Sequence, residues 1–171
     1  MDFTEVLKTR HSIRSFKEHP LEEKKLIAIL EAANSAPSAG NLQAYEIYVI
    51  TDSELRQKLV HAAWGQHFIS QAPVVLVFCA HPSRSSVKYG RRGTELYCIQ
   101  DATCAASFAH LAATSHRIAS CWVGAFDEEE VRKSLELPST EKPIIIMPMG
   151  YAHERGFHTS RRSLDDLVHY K

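Results

Sequence analysis

The stretch from Glu95 to His116 constrains the fold of this chain more than any other. It reads as a long helix, apolar nearly all round, with small residues at Ala102, Ala105, Ala106, Ala109, Ala112 and Ala113. A helix without a polar face belongs at the centre of a domain or in a subunit interface. The rest of the chain has to supply what covers it.

The covering elements are legible from pattern. Asp2, with Glu5 three residues on, starts a short first helix running to about Lys8. Pro20 precedes a helical run with Leu21, Ile27, Leu30 and Ala33 among its apolar positions. Tyr45 to Thr51 has the aromatic and β-branched content of a strand, and Asp52 or Ser53 caps a helix to about Ala63. Pro73 to Ala80 is apolar throughout, as expected for a strand covered on both faces. Residues 81–93 are polar and basic and read as a loop. Ile118 to Val123 and Pro143 to Gly150 are further strands, Glu128 to Leu135 a helix after the Asp127 cap, and Leu164 to Tyr170 a last helical turn. The expectation is one α+β domain over residues 1–171, a small mixed sheet with helices packed around it.

Composition excludes some partners. The chain has 171 residues with 20 basic and 20 acidic side chains, so its net charge is zero and long-range attraction to nucleic acid or an anionic membrane is not built in. The longest apolar stretches are too short to span a bilayer, and the first residues lack the pattern of a secretory leader, so the cytoplasm is the expected compartment. Cys79, Cys98, Cys104 and Cys121 form no C-x-x-C pair and read as small buried hydrophobes. His61/His67 and His110/His116 are each six apart, which does not put two rings on one helical face, so no metal is expected.

Three segments are candidates for chemistry. In extended chain, Arg10, Ser12 and Arg14 point to the same side and offer a hydroxyl and two forked cations suited to a phosphate monoester. Arg161 and Arg162 could close on the same anion; on spacing alone, solvated surface arginines remain the alternative. Pro37 to Gln43 is rich in small residues, with Ser38, Asn41 and Gln43 as donors to a planar polar ring, or else it is an ordinary helix-to-strand loop. Ser120-Cys121-Trp122-Val123-Gly124 is a strand that ends on a glycine, where backbone N–H groups can reach a ligand. No P-loop, G-x-G-x-x-G or nucleophile elbow is present, and no acid, base or nucleophile stands out, a pattern that suits chemistry delegated to a cofactor.

In this order and spacing, these segments resemble the nitroreductase family of FMN-dependent oxidoreductases over essentially the whole chain. The resemblance rests on Arg10-His11-Ser12-Ile13-Arg14-Ser15-Phe16, on Ala36-Pro37-Ser38-Ala39-Gly40-Asn41-Leu42-Gln43, and on Gln66 followed by Ala72-Pro73-Val74-Val75. It continues through Gly124-Ala125-Phe126, Gly150-Tyr151 and Arg161-Arg162-Ser163-Leu164.

The resemblance implies a mixed four- to five-stranded sheet flanked by helices in an intertwined homodimer, with the Ala-rich helix at the dimer interface. It implies bound FMN, with Arg10, His11, Ser12, Arg14 and Arg161 or Arg162 on the phosphate and ribityl chain. Pro37, Ser38, Ala39 and Asn41 of the other subunit would meet the ring, and Gln66, in the family's central segment, is a further implied cofactor-binding residue. Val123 and Gly124 would present backbone groups near the ring's N5 and O4 edge. NAD(P)H is then the electron donor, and a small molecule such as a nitroaromatic or quinone the acceptor. A non-catalytic flavin-binding protein and a reductase specialised for one metabolite are the alternatives. Gln43-Ala44-Tyr45 stands where many members have Gln-Pro-Trp, and the chain is short for the family, which leaves the substrate class open.

Overall fold

The computed structural model of the chain describes residues 1–157 and 159–171. Four strands form one sheet in the order β1–β2–β4–β3: β1 is Tyr45–Ile50, β2 Val74–Ala80, β3 Ala119–Ser120 and β4 Lys142–Gly150. Every neighbouring pair of these strands is antiparallel. The expected mixed sheet is corrected accordingly: among the described residues the parallel pairing is confined to an isolated bridge between Ser12 and Ser120.

All of β2 is buried, and its alternation assigns its side chains to two cores. Leu76 and Phe78 pack with Ile29 and Ala33 of α2 (Glu23–Asn34) and with the alanines of α6 (Cys98–Ser115). Val75, Val77 and Cys79 face Leu59 and Val60 of α3 (Ser53–Ala62) and Val131 of α7 (Glu128–Ser134). A strand between two helical layers has no polar face, which is why its sequence is a continuous apolar run. Ala102, Ala105, Ala106, Ala109 and Ala113 of α6 are fully buried, and their spacing keeps them on one side of the helix. Along this stripe methyl groups separate the helix backbone from the layer beneath.

Local chemistry sets the helix ends. Asp2 accepts from the Glu5 N–H at 2.8 Å to start α1 (Phe3–Thr9), and Asp52 and Asp127 cap α3 and α7 in the same way. A short α4, Phe68–Gln71, leads into β2. The stretch 81–93 is not a loop: Pro82–Arg92 is helix α5, with Pro82 in its first turn and the His81 ring accepting from the Arg84 N–H. The helical path breaks at Gly90 (φ 52°), and a π-helical turn, Gly93–Tyr97, delivers the chain to α6. The third strand is two residues long instead of running from Ile118 to Val123, and the C-terminal segment makes a single turn, with the Leu167 and Val168 N–H groups donating to the Leu164 carbonyl. No helix among the described residues is long and apolar enough to cross a membrane.

The tight seat of α6 is open to test. Ala106→Leu should lower unfolding free energy by about 1–3 kcal/mol through overpacking, seen as a lower urea midpoint. An unchanged midpoint would mean that α6 does not rest on its neighbours at this residue.

Candidate functional site

Arg10 ends α1, with its N–H bonded back to the Val6 carbonyl, and the chain then runs extended along the edge of the sheet. Ser12 bridges to Ser120, and the Ile13 N–H donates to the Ser120 carbonyl at 3.1 Å. Ile13 and Phe16 are buried, so the strand-like alternation turns Ser12 and Arg14 away from the core. Arg10, His11, Ser12 and Arg14 line one side of a cleft of about 480 Å³, and Glu154, Gly156, Thr159 and Arg161 line the other. The Arg14 N–H donates to Glu154 at 2.7 Å, which ties the two sides together across 140 positions of sequence. Gly156 lies so close to the His11 ring that a Cβ there would overlap it, so this wall tolerates no side chain.

Three guanidiniums and one carboxylate give the cleft a surplus of two positive charges. That matches a phosphate monoester dianion, with Ser12 as a neutral donor. Arg161 reaches the cleft, whereas Arg162 donates to the Asp166 carbonyl at 2.8 Å and does not line it. Beneath the arginines lie two buried titratable groups. Burial pushes the Cys121 thiol up, against the pull of Arg14 and a hydrogen bond with Ser12. His110, stacked with Trp122 at 6.4 Å between ring centroids, is pushed down to about 4 by burial, with the Arg10 charge adding to the effect.

The second candidate segment is a compact knot. Ala39–Asn41 form one 3₁₀ turn, with φ of 58° at both Gly40 and Asn41 and 44° at Gln43. Asp101, buried in α6, accepts from the N–H groups of Ala39 (2.9 Å) and Ala44 (3.3 Å) and so holds both ends of the loop. Ser38 Oγ accepts from the Gln43 N–H, and the Gln43 amide donates to Asn41 at 2.8 and 2.7 Å. Gln43 therefore spends its side-chain donor inside the loop. The Asn41 side-chain nitrogen keeps no partner among the described residues, and Pro37, Gly40 and Asn41 are exposed.

The third segment divides between its two residues. The Val123 N–H donates to the Ile146 carbonyl (2.9 Å) and its carbonyl accepts from the Ile146 N–H (3.0 Å), so both backbone groups pair with β4. Gly124 is exposed, with open space at its α-carbon. Gln66 donates to the carbonyls of Ala125 (2.9 Å) and Ala63 (3.2 Å), which fixes the turn next to Gly124.

One chain does not bring all of these together. The clamp at Ser12 and Gly124 share the β3 edge, four residues or roughly 13 Å apart at strand rise. The 37–41 loop is anchored at Asp101 near the start of α6, whereas Thr114 near its end borders the same groove as His11. The intervening helix separates them by about 20 Å at 1.5 Å per residue. Sequence reasoning misses Glu154, Gly156, Thr159 and Asp101. Of these only Asp101 leaves a signal, as an acid inside an otherwise apolar helix. It also misses the convergence of Glu46, His81 and Glu141, whose ligand atoms lie within 4.8 Å of one another; Arg84 engages Glu46, and the Tyr48 hydroxyl donates to Glu141 at 2.6 Å.

His110 makes stability depend on pH. Its folded pKa of about 4 lies below the unfolded value, so between about pH 6.5 and 4 the unfolded chain binds a proton that the folded one refuses. Stability from this group is complete above pH 6.5 and falls as pH drops through that window. The loss should be on the order of 3 kcal/mol, and His110→Phe should flatten that part of the pH profile of urea unfolding. An equally steep profile in the variant would place the effect elsewhere.

Comparison with known proteins identifies the family. The model of the "Nitroreductase family" matches residues 7–67 and 59–151. The chain is 32% identical to a protein of Thermus thermophilus named NADH dehydrogenase, over 93% of this chain and 91% of that protein. It is 30% identical to the FMN reductase [NAD(P)H] of Bacillus subtilis, over 96% of this chain and 73% of that one. The solved structure of the NADPH:FMN oxidoreductase from Vibrio harveyi complexed with NAD+ superimposes with a TM-score of 0.90 at 25% identity, covering 98% of this chain and 76% of that one. The chain belongs to the nitroreductase family.

Proposed function

We propose that this chain is an FMN-dependent NAD(P)H oxidoreductase that works as a homodimer, each FMN lying between the clamp of one subunit and the 37–41 loop of the other. The observation that carries this reading is the cleft at Arg10, Ser12, Arg14 and Arg161, with its surplus of two positive charges. Relatives named FMN reductase and NADPH:FMN oxidoreductase support the cofactor and the donor.

Bound FMN would supply the redox chemistry, hydride transfer from NAD(P)H to a small acceptor such as a nitroaromatic or quinone. The chain's own residues bind and orient. Arg10, Arg14 and Arg161 neutralise the phosphate, with Ser12 and His11 beside them, and Glu154 braces Arg14 from behind. Gly124 offers a backbone N–H to the ring edge, held in place by the Val123 pairing to β4 and by Gln66. Pro37, Ser38, Ala39 and Asn41 of the second subunit close over the ring, with the Asn41 amide as donor. A dedicated acid or base is not required.

The two-chain arrangement is supported by the separation of clamp and loop along α6 and by an apolar surface that this chain leaves open. Phe3 (69% exposed), Leu7 (51%) and Phe108 (39%) stand out from α1 and α6, and Phe3, Phe108 and Leu111 line an apolar groove. A patch of this kind marks an interface. In this arrangement the outer side of α6 lies between subunits while its alanine side remains in the core.

The purified protein should show the visible absorption of bound FMN, and NADH or NADPH should bleach it. Arg14→Ala should weaken FMN binding by about 1.5–3 kcal/mol, the worth of a hydrogen bond to a charged group, measured by titration of the apoprotein. Unchanged FMN affinity would overturn the clamp. Bound FMN that neither nucleotide reduces would leave a flavin-binding protein without turnover.

A further inference from the structure

Helix α5 and the turn after it concentrate positive charge in a neutral chain: residues 82–97 carry Arg84, Lys88, Arg91 and Arg92 against the single acid Glu95. Two of these cations are committed to structure. Arg84 binds the Glu46 carboxylate and the carbonyls of Gln43 and Tyr45, fastening α5 to the start of β1. Arg91 pairs with Glu95 at 2.7 Å. Lys88 and Arg92 are exposed and have no carboxylate within 4.0 Å among the described residues.

These two cations stand instead at the ends of an aromatic pair. The Lys88 ammonium is 5.4 Å from the Tyr89 ring centroid, and the Arg92 guanidinium is 5.3 Å from that of Tyr97. Tyr89 and Tyr97 meet edge to face at 5.0 Å, and Arg92 Nε donates to the Tyr97 hydroxyl at 2.9 Å. The row Lys88–Tyr89–Tyr97–Arg92 borders the 37–41 loop. A Cβ on Gly40 would lie 2.7 Å from Lys88 Nζ and would overlap the Tyr89 hydroxyl. If the loop faces the flavin ring, the row flanks the opening through which a hydride donor must approach.

We infer that this row receives the adenosine end of the pyridine nucleotide and favours NADPH over NADH. The inference rests on the proposed placement of FMN. NADPH differs from NADH by one phosphate monoester on the adenosine ribose. That group gains from two cations that lack carboxylate partners, and most from a forked guanidinium. The tyrosine faces suit an adenine ring. The gain at an exposed site is modest, and two such pairs amount to about tenfold in affinity.

The test uses the FMN-loaded dimer and the oxidised nucleotides, titrated by calorimetry at low ionic strength, with FMN content read from visible absorption. NADP+ should bind the unaltered protein about tenfold more tightly than NAD+. The double variant Lys88→Ala with Arg92→Ala should bind the two equally, with FMN content unchanged. Equal affinities in the unaltered protein, or a preference that survives the double substitution, would overturn the assignment while leaving the flavin reading intact. Failure of the unaltered protein to take up FMN would overturn both.

Discussion

Helix α6 can lie against the central strands because its inward side is a stripe of alanines, and the geometry of the site follows from that contact. The helix is a ruler as much as a core element. Asp101 near its start holds both ends of the 37–44 loop, and the chain leaving its far end becomes the β3 edge to which the Arg10–Arg14 segment is pinned. A larger residue anywhere along the stripe would lift the helix and move both groups relative to the sheet. The position of the candidate site residues is therefore a packing property before it is a chemical one.

Electrostatics then sort the roles. The chain has no net charge, yet the clamp cleft and helix α5 are each strongly cationic. Local accumulation in a neutral protein favours a small anion at a built site over a polyanion spread across the surface. Glu154 binds the Arg14 backbone and offsets one of three guanidiniums, which leaves two positive charges, the complement of a dianion in the proposed site. The third segment is divided in the same spirit, with Val123 given over to the sheet and Gly124 left open.

Much of this is legible in the sequence, for physical reasons that can be stated. The β2 run is unbroken because both of its faces are covered, and Asp52 and Asp127 mark helix starts because their carboxylates satisfy first-turn amides. The alternation of Arg10, Ser12 and Arg14 can be read from spacing because an extended edge segment has a period of two. Other features leave no local trace. Helix α5 lacks an apolar stripe and is capped by a histidine ring, so its polar composition reads as loop. The antiparallel course of the sheet depends on which strands meet, which no strand's own composition encodes. Glu154 joins the clamp from 140 residues away, and its character as an isolated surface acid gives no hint of that. The choice between Arg161 and Arg162 is likewise settled by chain geometry, since neighbours of identical chemistry point to different partners.

The central claim is that each flavin site is split between two chains, and complementation between two defective chains tests it most directly. Arg14→Ala damages the clamp alone. Gly40→Val damages the loop alone, because a β-branched residue is strained at a φ of 58° and would press on Lys88 and Tyr89. Each variant by itself should hold little FMN. A hybrid dimer that pairs one chain of each kind contains one site built from two intact halves, so purified hybrids should regain one tightly bound FMN per dimer. Hybrids that hold no more FMN than either parent would contradict the account.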